Sequence, residues 1–154
     1  MQVLADVVRA LKEQHEAGWL HCDLKADNII IKKNYNGSFS GRIIDFGLAK
    51  KTSDMPFPLH SYKPEEYEKN RFDYGHIPPE MLLCKTGETY ESEVYALGFM
   101  LSWVAASYDV SWLSVLAELC QEEDPVMRPT LENILEIINE EVCLLSINQC
   151  LNSI

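Results

Sequence analysis

No two cysteines in this 154-residue sequence form a CxxC pair, and their total of five is odd. Cys22, Cys84, Cys120, Cys143 and Cys150 therefore define neither a disulfide framework nor a zinc site, and read as reduced thiols of an intracellular, cytoplasmic protein. A basic, cleavable leader is also missing, because the chain opens on Met1-Gln2-Val3-Leu4-Ala5-Asp6. The longest apolar stretch, Val94 to Ala106, is interrupted by Gly98 and Ser102 and is too short to cross a bilayer comfortably. It reads as a buried core helix. Basic residues are scarce in most of the chain: eight against six acidic up to Lys51, then five against eighteen, for a net charge of -11. That balance excludes nucleic acid and an anionic membrane surface as partners. It suits a basic peptide, although a solvated acidic face is the plainer meaning. Internal repeats and low-complexity tracts are absent too, and 47% hydrophobic residues suffice for one core, so residues 1–154 read as a single domain.

What is present is mostly helical. Val3, Leu4, Val7, Val8 and Leu11 recur at helical spacing, with Gly18 as a C-cap. Ile29-Ile30-Ile31 and Arg42-Ile43-Ile44 are β-branched runs around Asn36-Gly37, which predicts a hairpin. Thr52 to Pro79, rich in proline and charge, is expected to be irregular. Three helices follow, from Ser92 to about Ala106, from about Ser111 to Glu123, and from about Leu131 to Leu145. The second puts Trp112, Leu113, Leu116, Leu119 and Cys120 on one face; the third does so with Leu131, Ile134, Leu135, Ile138, Val142 and Leu145, capped by Thr130. Trp and Met residues near the first of these helices are expected in the core.

In an antiparallel hairpin, the residue entering the first strand lies beside the residue leaving the second, so Asn28 and Asp45 should meet at one open end. Asp23 precedes Asn28 by five residues and should join them. An amide and a carboxylate suit a hard cation such as Mg²⁺, which keeps waters and uses phosphate oxygens for its other ligands. The third group, a carboxylate, suits acceptance of a proton from a nucleophilic hydroxyl.

His21-Cys22-Asp23-Leu24-Lys25 through Asn28, followed by Asp45-Phe46-Gly47, resembles the catalytic-loop and metal-binding signatures of protein kinases. Pro78-Pro79-Glu80 resembles the end of a kinase activation segment, and Glu91 through Gly98 the start of the buried central helix. Asp124-Pro125 with Arg128-Pro129-Thr130 resembles the late turn whose Arg pairs with that Glu, which implies an ion pair between Glu80 and Arg128. The resemblance implies a kinase-like C-terminal lobe, a helical bundle around a buried central helix, with a small β-hairpin carrying both signatures. It further implies Asp23 as catalytic base, Lys25 on the transferring phosphate, Asn28 and Asp45 on Mg²⁺, and ATP as phosphate donor. Lys25 implies Ser/Thr specificity within the family pattern, and His21 reads as scaffold. A protein substrate or partner protein follows, including a chain that supplies the N-terminal lobe.

The sequence departs from the pattern at several points. It contains no Gly-rich loop, no strand Lys with its helix Glu, and no hinge, so the N-terminal lobe is expected to be absent. Cys22 replaces the Arg that answers activation-loop phosphorylation, which disfavours such control through Ser53, Ser61, Tyr62, Tyr67 or Tyr74. Cys22 itself reads as an inert buried thiol more readily than a reactive one. Asp73 takes the place of a usual Thr, and Glu93 that of an Asp which braces the catalytic loop. The interval from Glu93 to Asp124 is short, so the helix that commonly recruits substrates is expected to be reduced or missing. Lys32, Lys33, Lys50 and Lys51 read as solvated charge, and His15, His60 and His76 as surface or satisfied core residues. Two other readings remain beside the Ser/Thr kinase: a non-catalytic, pseudokinase-type interaction module and a small-molecule kinase of related fold.

Overall fold

Residues 1–54, 74–83 and 86–151 are described by the structure, a computed structural model. Helix α1 (Gln2–Glu16) buries the predicted stripe, with Leu4, Val7, Val8 and Leu11 in the core. It stops where expected: the Ala17 and Gly18 amides donate to Glu13 O and His15 O at 3.1 and 2.9 Å, and Gly18 turns the chain with φ +77°. The chain then makes a two-residue strand β1 (Trp19–Leu20), and β2 (Ile29–Lys33) and β3 (Phe39–Ile43) form the hairpin in the register Ile29↔Ile43 to Lys33↔Phe39. Its turn uses the predicted dipeptide. Gly37 has φ +85°, and Asn36 Oδ1 accepts from the Ser38 amide at 3.1 Å. Strand β4 (Lys50–Lys51) pairs with β1, a contact two residues long that no alternation pattern announces.

Thr52–Asp54 forms a 3₁₀ turn, and Pro79–Leu82 a short helix α2 with proline at its start. Between them, residues 55–73 lie outside the described residues, and with them His60, Ser61, Tyr62, Tyr67 and Asp73. Helix α3 (Tyr90–Tyr108) begins two residues before the predicted Ser92, because Thr89 and Ser92 form a reciprocal capping box. Asp109, in the left-handed region, ends it, and α4 (Ser111–Cys120) starts after Val110. Helix α5 (Leu131–Leu151) starts under a cap as predicted, with Thr130 Oγ1 accepting from the Asn133 amide at 3.2 Å. No helix among the described residues is long and apolar enough to cross a membrane.

The core lies between α1, α3, α4 and α5, built on Leu11, Leu97, Leu101, Leu113, Leu116 and Ile134. Three predicted core positions are corrected. Trp103 is 48% exposed, and Leu119 and Leu145 also face outward. Ala117 is buried on α4 instead of Leu119, because α4 lies close enough to α3 that a small residue fits the seam. Gly98 sets that approach: a Cβ there would lie 2.5 Å from Cys120 Cβ and 3.0 Å from Ala117 O. Gly98→Ala must push two packed helices apart, so it is expected to destabilise by about 1–3 kcal/mol, a Tm fall of roughly 2–10 °C. Thermal unfolding followed by circular dichroism measures this, and an unchanged midpoint would contradict the close approach.

Candidate active site

The segment from His21 to Asn28 crosses the molecule between β1 and β2, and two leucines pin it. Leu20 and Leu24 are buried on either side of Asp23, so the carboxylate between them is held at the surface of a fixed loop. His21 is fully buried. Its Nε2 donates to Ile44 O at 3.0 Å, while Nδ1 accepts from the Asp23 amide at 3.3 Å. Those partners place the ring proton on Nε2 and occupy both nitrogens, which makes His21 a scaffold residue. Its ring also meets Phe46, centroid to centroid, at 5.0 Å.

Asp23, Lys25 and Asn28 form one hydrogen-bonded group. Lys25 Nζ lies 3.0 and 2.9 Å from the two Asp23 carboxylate oxygens, and Asn28 Nδ2 donates to Asp23 O at 2.8 Å and Oδ2 at 2.9 Å. A 3₁₀ turn at Ala26–Asn28 folds the loop back to make this possible, with the Asn28 amide donating to Lys25 O. Because both Asn28 amide protons are occupied, its Oδ1 is the atom left to meet a cation. Asp45 arrives at the same end of the hairpin, since the Ile44 amide donates to Asn28 O at 2.9 Å. Asp45 sits in the left-handed region at φ +62°, and its Oδ1 accepts from the Gly47 amide. Its carboxylate is exposed.

Two buried supports hold this geometry. Glu93, 2% exposed, reaches the loop despite its extra methylene: Oε1 accepts from the Cys22 amide at 2.7 Å, and Oε2 lies 2.6 Å from His15 Nε2. His15 in turn packs its ring on Tyr90 at 4.6 Å. Its role was not readable from α1, where a histidine near a helix end has many uses. The second support is the expected pair of Glu80 with Arg128, bidentate at 2.7 and 2.8 Å and buried at both ends. Arg128 also donates to Glu122 O and Glu91 O and stacks over Tyr95, so it ties α2, α3 and the Pro125–Met127 turn together.

The family model described as "Protein kinase domain" matches residues 1–114. The chain belongs to the protein kinase family. Among curated relatives, a mitogen-activated protein kinase 6 of Arabidopsis thaliana is 34% identical over 95 residues, covering 62% of this chain and 21% of that protein. The mitogen-activated protein kinase mpk-1 of Caenorhabditis elegans is 33% identical over 99 residues, 64% of this chain and 20% of the relative. A probable serine/threonine-protein kinase fnkE of Dictyostelium discoideum is 28% identical over 96 residues, 62% of this chain and 7% of the relative. The chain thus spans a quarter or less of the kinases it matches. Only Asp109 and Val110 separate α3 from α4, and Trp103 on α3 is half exposed.

Burial pushes the Cys22 thiol up to about 12, helped by the nearby Glu88 and Glu93 carboxylates, and burial does the same to Cys120. Neither is a thiolate near neutral pH, which agrees with the inert reading of Cys22. Alkylation with iodoacetamide at about pH 8, followed by mass spectrometry, should label exposed Cys143 well before Cys22 and Cys120. Equal labelling of Cys22 and Cys143 would contradict the burial.

Burial likewise pushes the Glu88 carboxyl up to about 7, with Glu93 and Asp23 adding repulsion, while a hydrogen bond from Ser92 Oγ at 3.0 Å opposes the shift. The folded state therefore holds this proton more tightly than the unfolded chain does. Its contribution to stability is fully present below the ordinary value near 4.5 and is lost as pH rises through about 7. Glu88→Gln should remove that dependence. The Tm difference, variant minus parent, is expected to grow across this window by the equivalent of about 1–3 kcal/mol. A pH series of melting curves reads it, and a difference independent of pH refutes the assignment.

Proposed function

We propose that residues 1–154 are the C-terminal lobe of a Ser/Thr-type protein kinase, supplying the base and metal half of a phosphoryl-transfer site. The observation that carries this reading is the single hydrogen-bonded group of Asp23, Lys25 and Asn28 beside Asp45. Asp23 would accept the proton of the attacking hydroxyl, with its orientation set by Asn28 and its charge balanced by Lys25. Lys25, partly exposed at the loop surface and paired with Asp23, would exchange that pairing for an incoming phosphate. Asn28 Oδ1 and the Asp45 carboxylate fit Mg²⁺, a hard ion that takes few protein oxygens, and would hold it against the phosphates of ATP. Bound there, the ion supplies charge neutralisation on the transferring group. The substrate would be a protein, and nucleotide clamping would come from an N-terminal lobe on another segment or chain.

Asp73 and Glu93, where the family pattern has Thr and Asp, favour a second reading, a non-catalytic interaction module. Mg-ATP separates the two. A ligand at about a hundred times its Kd stabilises by roughly 2.7 kcal/mol, which moves the melting midpoint by several degrees. That shift is expected for the chain and should vanish in Asp45→Ala. A midpoint unmoved by saturating Mg-ATP leaves the interaction module as the standing account of this chain alone.

A further inference from the structure

Away from Asp23, a groove of about 380 Å³ opens where the end of α1 meets the starts of α3 and α5. Its walls are mainly apolar: the Tyr90 ring, Val94, Pro129 and Leu131. Its rim is acidic, with Glu16, Glu91 and Glu132. The nitrogens that line it are already engaged. Lys12 Nζ bridges Glu16 and Glu132 at 2.8 and 2.9 Å, Arg128 is held by Glu80, and His15 Nε2 by Glu93. Glu91 gives its backbone carbonyl to Arg128, while its exposed carboxylate has no ion-pair partner among the described residues. The surroundings do not redress that balance: from Thr86 to Ile154 the sequence has twelve acidic residues and a single basic one, the buried Arg128.

The geometry points to this groove as a docking site for an arginine side chain carried by a segment of a partner protein. The choice of occupant follows from the lining. An anion would meet three carboxylates, and a wholly apolar side chain would leave Glu91 unanswered at the rim. A side chain with an apolar stem and a cationic head satisfies both, the stem against Val94, Pro129 and Leu131 and the head among the carboxylates. Arginine suits the site better than lysine, because its planar guanidinium takes a carboxylate through two hydrogen bonds and stacks on aromatic rings. Tyr90 offers such a ring: it meets His15 at 4.6 Å and is still 37% exposed. Lys12 competes for the same carboxylates, so the arginine must share Glu16 or Glu132 with it or take Glu91. His15 lines the groove, so docking is readable at its imidazole.

The test titrates the full chain with capped pentapeptides Ala-Leu-X-Leu-Ala, in which X is Arg, Lys, citrulline or Glu, and follows the His15 imidazole resonances by NMR. The Arg peptide should bind about threefold or more tighter than the citrulline peptide, which has the same shape without the charge. Lys should fall between them, and Glu should be weakest. Glu91→Gln should lower the affinity for Arg by about threefold, whereas Glu140→Gln, the same loss of charge outside the groove, should leave it unchanged. Lys12→Met keeps an apolar stem, removes the competing ammonium and should raise the affinity for Arg by a similar factor. Melting curves confirm that each variant folds. Equal binding of Arg and citrulline, no peptide binding, equal effects of Glu91→Gln and Glu140→Gln, or weaker binding to Lys12→Met each overturns the groove. Neither Asp23 nor ATP takes part in these titrations, so their outcome is independent of whether the chain transfers phosphate.

Discussion

One buried carboxylate organises this molecule. Glu93 lies on the first turn of α3, where the helix dipole favours negative charge, and its two oxygens are shared between the His21–Asn28 loop and α1. The loop end of that arrangement is Cys22, held at φ +63°, a conformation that costs an L-residue about 1–2 kcal/mol. A charge-assisted hydrogen bond to the Cys22 amide offsets the strain and keeps the following residue, Asp23, facing out of the fold. The other oxygen binds His15, and His15 packs on Tyr90, so the ends of α1 and α3 cannot separate without breaking this buried pair and its ring contact. Asp23 is therefore positioned by a network whose members lie far from it in sequence.

The Glu80 and Arg128 pair does for the activation-segment end what Glu93 does for the loop. Both are desolvated, and such a pair holds because four of the guanidinium's five N–H groups are met by two carboxylate oxygens and two backbone carbonyls, with the Tyr95 ring against its face. The two supports meet on α3. Glu91 gives its carbonyl to Arg128, and Glu93 gives its carboxylate to the loop, so one helix end carries both walls of the candidate site. Glu88 sits just before that helix with its carboxyl pushed up chiefly by burial, with repulsion from Glu93 and Asp23 adding to it.

Much of this was legible beforehand, and the reasons are local. Asn36-Gly37 demanded a turn, three isoleucines on one side of it demanded a strand, and the pairing rule then brought Asn28 beside Asp45. Thr130 before an apolar repeat marked a helix start, and it caps α5. The misses share another cause. The β1 and β4 pairing is too short for periodicity. Trp103 and Leu145 are apolar residues left 48% and 43% exposed, and hydrophobicity by itself does not say which apolar side chains end up covered. Leu119 yielded its place to Ala117 because a backbone approach at Gly98 leaves no room for a larger residue.

The sequence by itself determined the family and the residue types of the candidate site, because His21 through Asn28 and Asp45 through Gly47 are contiguous runs whose chemistry depends on order and spacing. It also determined the hairpin that joins them, since turn chemistry is local. Only the tertiary structure decided what holds Asp23 in place, how the longer Glu93 reaches Cys22, and which α3 side chains are buried. These depend on the distance between elements separated by scores of residues. That distance is set by the packing of side chains from four helices, which no single segment of the chain encodes.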